Sequence, residues 1–121
     1  MGQRSNQLIC GAGIGLRACH YEHILQYRPK VAWFEVLSDN YMVAGGPALA
    51  YLDAVAEYYP LVLHGVGLSI GSVDPLNQTY LHRLAELKQR TNSVWISDHL
   101  CWISTQGQYF HDLLPLPFTE Q

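Results

Sequence analysis

The stretch Leu61-Val62-Leu63-His64-Gly65-Val66-Gly67-Leu68-Ser69-Ile70-Gly71-Ser72 decides how the rest of the chain is read. A short apolar run climbs to one histidine and breaks into a glycine-rich turn. That is the pattern of a buried strand delivering a polar side chain to the mouth of a cleft. Two more apolar runs end the same way: Ala32-Trp33-Phe34 in Glu35, and Val94-Trp95-Ile96-Ser97 in Asp98-His99.

Working outward, short apolar runs alternate with helical periodicity. Strands are predicted over residues 8–14, 31–36, 61–64 and 94–97. Helices are predicted over 18–27, closed by Pro29; over 48–59, with Leu49, Leu52, Val55 and Ala56 on one face and Pro60 at the end; and from Asp74-Pro75, read as a cap and first-turn proline, to about Arg90, with Leu81, Leu84 and Leu87 on one face. Residues 38–47 and 101–121 read as loops. Strands alternating with helices mean βαβ units and a parallel sheet. The expected fold is therefore α/β, a partial TIM (β/α)8 barrel of about the first four βα units. No linker divides the chain, and it stops soon after Leu113-Leu114-Pro115-Leu116-Pro117-Phe118. Residues 1–121 are thus expected to be the N-terminal part of one barrel domain whose C-terminal half is absent.

Composition narrows the function classes. Hydrophobic residues make up 49 % of the chain and charged residues 14 %, more apolar than a small soluble domain usually is, so much of the sequence expects burial. A net charge of −3 leaves no basic footprint and speaks against a nucleic-acid partner. No apolar run approaches the roughly 20 residues of a membrane span. The polar opening Met1-Gly2-Gln3-Arg4-Ser5-Asn6-Gln7 lacks a signal-peptide layout, and Asn6 breaks the myristoylation pattern. Cys10, Cys19 and Cys101 form no metal-binding spacing and suit reduced thiols in the cytoplasm, each read as a small buried apolar residue.

In parallel βα folds function gathers at the carboxyl ends of strands. Glu35, His64 and the pair Asp98-His99 stand there. Carboxylates with imidazoles suit a borderline metal such as iron, manganese or zinc. Taken alone, His64 reads more readily as a hydrogen-bonded core histidine than as a ligand; the company of Glu35 and Asp98 brings the metal reading level with it. Successive strand residues point to opposite faces, so only one of Asp98 and His99 can face the barrel axis while the strand continues. His20 opens a helix and can face the cleft. Arg17 can meet an anionic group or form a surface ion pair. Gly11-Ala12-Gly13-Ile14-Gly15-Leu16 is not a dinucleotide fingerprint, because leucine stands where the last glycine is needed. Gly67-Leu68-Ser69-Ile70-Gly71 matches a nucleophile elbow only on paper, since Ser69 lies beyond the strand.

The same residues carry a family resemblance. Gly13-Ile14-Gly15-Leu16-Arg17-Ala18-Cys19-His20-Tyr21, Trp33-Phe34-Glu35-Val36 with Asp39-Asn40-Tyr41-Met42, the His64-to-Ser72 string, Ser97-Asp98-His99-Leu100-Cys101-Trp102 and Asp112-Leu113-Leu114-Pro115-Leu116-Pro117 occur in order along nearly the whole chain. Together they resemble the DUF692 or UPF0276 family of multinuclear non-haem iron-dependent oxidative enzymes. The resemblance implies a xylose-isomerase-like TIM barrel holding two or three irons. It implies oxidative modification of cysteines in ribosomally made precursor peptides, often with a separate peptide-presenting partner protein. By the same resemblance His64 and Asp98 are the candidate metal ligands, Glu35 and His20 the candidate catalytic side chains, and Arg17 and Asn40 candidate substrate-binding residues. His111 stands where asparagine is common, and Asp39 where glutamate is.

The family runs to more than twice this length, so its later ligands have no counterpart here. The expected function is the N-terminal part of such an iron- and oxygen-dependent enzyme, inactive as it stands. The alternatives are a truncated fragment that needs a complementary chain, and a divalent-metal isomerase or hydrolase on the same barrel.

Overall fold

The computed structural model describes residues 9–120. Strands β1 (Ile14–Gly15), β2 (Phe34–Leu37), β3 (Leu61–Gly65) and β4 (Ile96–Asp98) form one sheet in the order β1-β2-β3-β4, every pair parallel. Helices α1 (Tyr21–Tyr27), α2 (Pro47–Ala56) and α3 (Gln78–Thr91) fill the three connections. A separate antiparallel hairpin follows, β5 (Cys101–Thr105) with β6 (Gln108–Pro115).

Alternation along the strands sorts the side chains into two sets. Phe34 and Val36 of β2 and Leu61 and Leu63 of β3 are at most 1 % exposed. They pack with Leu49, Leu52 and Val55 of α2 and Leu84 and Leu87 of α3 in one cluster. The intervening positions look the other way. Trp33 and Trp95 meet edge-on there, ring centroids 5.9 Å apart, and Glu35 and Ser97 are exposed. The helices thus cover one sheet face, while a parallel sheet ordinarily has both covered. The architecture is a parallel α/β sheet consistent with part of a TIM-like barrel.

The elements differ from the sequence expectation in instructive places. The first strand shrinks to two residues; Leu8 lies outside the described residues. Gly11 adopts φ +78°, and Gly13 lies so close under the Trp33 indole that a Cβ would sit 2.1 Å from the ring. Extended pairing begins only past these glycines. The helix from residue 18 opens as a tight 3-10 turn (Ala18–His20) and stops at Arg28, which takes a left-handed φ of 47° before Pro29. Helix α2 ends at Ala56, earlier than expected. Asp74 does not cap α3; Asn77 does, its Oδ1 accepting from Tyr80 N–H at 3.0 Å. Asp74 instead accepts from the Gln106 and Gly107 amides at 2.7 and 3.1 Å, pinning the hairpin turn.

That hairpin overturns the loop expected over 101–121. Gln106 and Gly107 both have positive φ, 49° and 77°, as a two-residue hairpin turn requires. The ladder is irregular between Trp102 and Ser104, where β6 bulges. His111 in that bulge has φ 53°. Asparagine and histidine tolerate this conformation better than most residues.

Two tests follow from the packing. Leu63→Ala should cost about 2–5 kcal/mol in denaturant unfolding, because it opens a void between sheet and helices. Arg90 on α3 grips Asp53 on α2 through two hydrogen bonds of 2.7 Å and holds its carboxyl below the usual aspartate range. A depressed carboxyl contributes stability above its unfolded pKa and loses it as pH falls through the folded value. Arg90→Ala should therefore flatten the acid limb of the stability–pH curve, and an unchanged limb would show that the pair contributes nothing.

Candidate functional site

The parallel register places the site. Leu37 pairs with His64, His64 with Ser97, and Gly65 with Asp98. In a parallel sheet paired residues share a face, so Leu37, His64 and Ser97 form one row on the open face. Glu35, paired with Val62, lies one row nearer the strands' amino ends. Asp98 falls in the opposite phase, beside Gly65.

His64 is half-buried, and its Nδ1 lies 2.8 Å from Ser97 Oγ. His99, just past the end of β4, turns its ring back over the sheet. Its Nδ1 lies 3.2 Å from the Gly65 carbonyl oxygen, and the two imidazole centroids are 4.7 Å apart. No hydrogen bond among the described residues engages the Nε2 of either ring. A histidine held at Nδ1 with Nε2 open is the arrangement of an imidazole readied for a metal.

Asp98 serves the backbone. Its Oδ1 accepts from His99 N–H at 2.7 Å and its Oδ2 from Leu68 N–H at 3.3 Å. Burial pushes its carboxyl up, and these two amides pull back against that rise. Gly65 must be glycine for this: a Cβ there would stand 2.6 Å from Asp98 Oδ2 and 2.9 Å from the Tyr80 hydroxyl. Beside Asp98, Tyr80 from α3 donates to Asp39 Oδ1 at 3.0 Å and accepts from Gly67 N–H at 3.3 Å. Val66 N–H donates to Asp39 Oδ2 at 3.1 Å. Burial and the neighbouring Asp39 carboxylate both raise the Tyr80 phenol well above its ordinary value, so it stays a proton donor. Three successive amides after β3 are thereby tied to two carboxylates and a phenol. Ser69, at φ 52°, continues the series by accepting from Ile103 N–H at 2.9 Å, a purely structural task.

The remaining sequence candidates divide. Arg17 and Asn40 line one open groove of about 600 Å³ with Leu16, Leu37 and Tyr51. His20 ends the 3-10 turn and is exposed. Neither His20 nor Glu35 has a hydrogen bond or ion pair to His64, His99 or Asp98 among the described residues. A second open cavity of about 390 Å³, mostly apolar, lies between the loop after β3 and the hairpin, lined by Asp39, Gly67, Ile103, Tyr109, His111 and Leu113. Cys101 is buried, as expected, and burial pushes its thiol up; Cys10 and Cys19 are exposed, contrary to expectation.

The supporting side chains Ser97 and Tyr80 carry no signal in the local pattern. Ser97 emerges only from its register with His64, and Tyr80 only from the packing of α3 on the loop.

Among the described residues no group of three or more His, Cys, Asp or Glu side chains stands ready to hold one metal ion, and no helix is long and apolar enough to cross a membrane. Each imidazole presents one nitrogen donor of the kind that iron or zinc takes.

Comparison with known proteins adds the lineage. The family model described as "RiPP precursor modification enzyme MbnB/TglH/ChrH" matches residues 11–121. A UPF0276 protein of Acaryochloris marina is 54% identical over 112 residues, covering 93% of this chain and 40% of the relative. A UPF0276 protein of an Anaeromyxobacter species is 52% identical over 113 residues, with the same shares. One of Caulobacter vibrioides is 50% identical over 112 residues, 92% of this chain and 40% of the relative. The chain thus spans about 40% of the length of these curated relatives.

Tyr80→Phe tests the loop anchor. Loss of the hydroxyl deprives Asp39 of a donor and Gly67 of an acceptor, and should cost about 1–3 kcal/mol. Amide exchange at Gly67 should accelerate while Leu63 inside β3 stays protected; equal acceleration at both would place the effect in the core instead.

Proposed function

The chain belongs to the MbnB/TglH/ChrH family of RiPP precursor modification enzymes, and on that premise we propose that it is the N-terminal portion of an iron-dependent oxidative enzyme acting on cysteines of a ribosomally made precursor peptide. The observation that carries the proposal is the side-by-side placement of His64 and His99 at the carboxyl ends of β3 and β4, each held at Nδ1 and open at Nε2.

In this reading His64 and His99 each offer a nitrogen. Asp98 remains the acidic ligand candidate: a carboxylate has about four lone-pair sites, and the two amides occupy two of them. Iron, when bound, supplies redox chemistry with dioxygen and an affinity for thiolate. The chain's own residues do the rest. Glu35 lies on the same sheet face as His64 and orients substrate or accepts its proton, and His20 is a second acid–base candidate. Arg17 and Asn40 offer polar contacts along their groove, and the apolar cavity beside the hairpin suits a peptide side chain. The peptide, and a protein that presents it, are the partners this reading requires, with the reduced cytoplasm as the setting for its exposed thiols.

A non-haem iron site of this kind uses about three protein ligands and open positions. Among the described residues no three such side chains stand together, and the chain spans 40% of its relatives. Further ligands would therefore come from polypeptide corresponding to the rest of those relatives, in the same or a complementary chain.

The test loads the protein with iron(II) without oxygen, then adds dioxygen and a cysteine-containing peptide, and follows the peptide by mass spectrometry. Alone, the 121-residue protein should bind iron weakly and leave the thiol intact. Supplemented with the remaining portion of a UPF0276 relative, it should remove the thiol only when oxygen is present. His64→Ala should lower that activity by more than roughly 100-fold, beyond what loss of a supporting residue costs. Turnover with zinc or magnesium in the absence of oxygen would replace this reading with a hydrolase or isomerase.

A further inference from the structure

Two carbonyl groups of β3 govern the two imidazoles. A carbonyl oxygen only accepts hydrogen bonds, so the contact between Gly65 O and His99 Nδ1 requires the proton of neutral His99 to sit on Nδ1. His64 has no carbonyl at its Nδ1; it has Ser97 Oγ, at 2.8 Å. That hydroxyl lies 3.5 Å from Leu63 O, to which it donates. A hydroxyl has one proton. Donated to Leu63, that proton leaves the Ser97 oxygen to accept, and the donor facing it is then His64 Nδ1–H.

We propose that Ser97 is a positioning residue that sets the tautomer of His64, its hydroxyl donating to the Leu63 carbonyl and accepting from Nδ1–H. Both rings then carry hydrogen on Nδ1 and a bare lone pair on Nε2, with centroids 4.7 Å apart. The opposite tautomer of His64 would place an N–H where a cation needs a lone pair. This assignment deepens the metal reading given above and rests on it for its purpose. The geometry itself stands on the hydrogen bonds alone.

Metal-free protein labelled with nitrogen-15 in histidine, at a pH well above the imidazole range, reports which nitrogen of each ring carries hydrogen through long-range proton–nitrogen correlation. His64 and His99 should both show hydrogen on Nδ1. In Ser97→Ala, His64 should shift toward the Nε2-protonated form while His99 is unchanged, which doubles as a check on folding. Ser97→Thr keeps the hydroxyl and should keep the tautomer. Hydrogen on Nε2 of His64 in the native protein, or a tautomer indifferent to Ser97→Ala, overturns the proposal. Zinc(II) titration of the same samples addresses the purpose separately: affinity should fall about 10- to 100-fold in Ser97→Ala and return in Ser97→Thr. A tautomer that responds to Ser97 while zinc affinity stays the same in all three proteins upholds the role of Ser97 and removes its link to metal binding.

Discussion

The parallel register of β2, β3 and β4 is the constraint on which the rest depends. Because strand side chains alternate, a slip of one residue would exchange the two faces. Leu63 would then leave the cluster it forms with α2 and α3, and His64 would be driven into it. The penalty for misplacing a buried leucine and burying an unpaired imidazole is what locks Leu37, His64 and Ser97 into a single row. The chemistry of the open face is thus held by the packing on the closed one.

A second level of order hangs from that sheet. The loop leaving β3 has no ladder of its own, yet its amides are satisfied one after another: Val66 on Asp39, Gly67 on Tyr80, Leu68 on Asp98, and Gly71 on the Cys101 carbonyl at 2.8 Å. Buried backbone donors must find partners, and here the partners come from four different elements: the turn after β2, α3, β4 and β5. The loop therefore acts as a joint between sheet, α3 and hairpin. Asp98 belongs as much to this joint as to any metal, since its carboxylate fixes the amide of the very histidine that faces His64.

The sequence makes the sheet legible because β2, β3 and β4 are apolar runs closed by polar residues, and the helices between them carry their leucines at helical spacing. The family was legible too, because its motifs fall in order across the chain. The hairpin was hidden for a physical reason: β6 is exposed along nearly its whole length, so no burial alternation marks it. Its one signal, Gln106-Gly107 between β-prone runs, is shorter than the proline-rich stretch that suggested a loop. The choice between Asp98 and His99 was also undecidable from alternation, which says that the two diverge but not which one turns inward. That depends on β4 ending at Asp98, so that His99 is free to fold back onto Gly65. Asp74-Pro75 misled because aspartate before proline caps helices and also grips turns; three residues of extra loop decided for the turn.

The sheet order has a consequence for how the molecule comes into being. Each strand lies beside the one that precedes it in the chain, so no pairing waits for a distant segment, and contacts can form in the order of synthesis, which adds roughly 5–20 residues each second. The helix-covered side can therefore consolidate around β2, α2 and β3 while β4 is still unmade. During that interval His64 has a ring without a rotational stop. Arrival of the fourth strand brings Ser97 and His99 to His64 in one step, so the ring is held only after the packing beneath it can form.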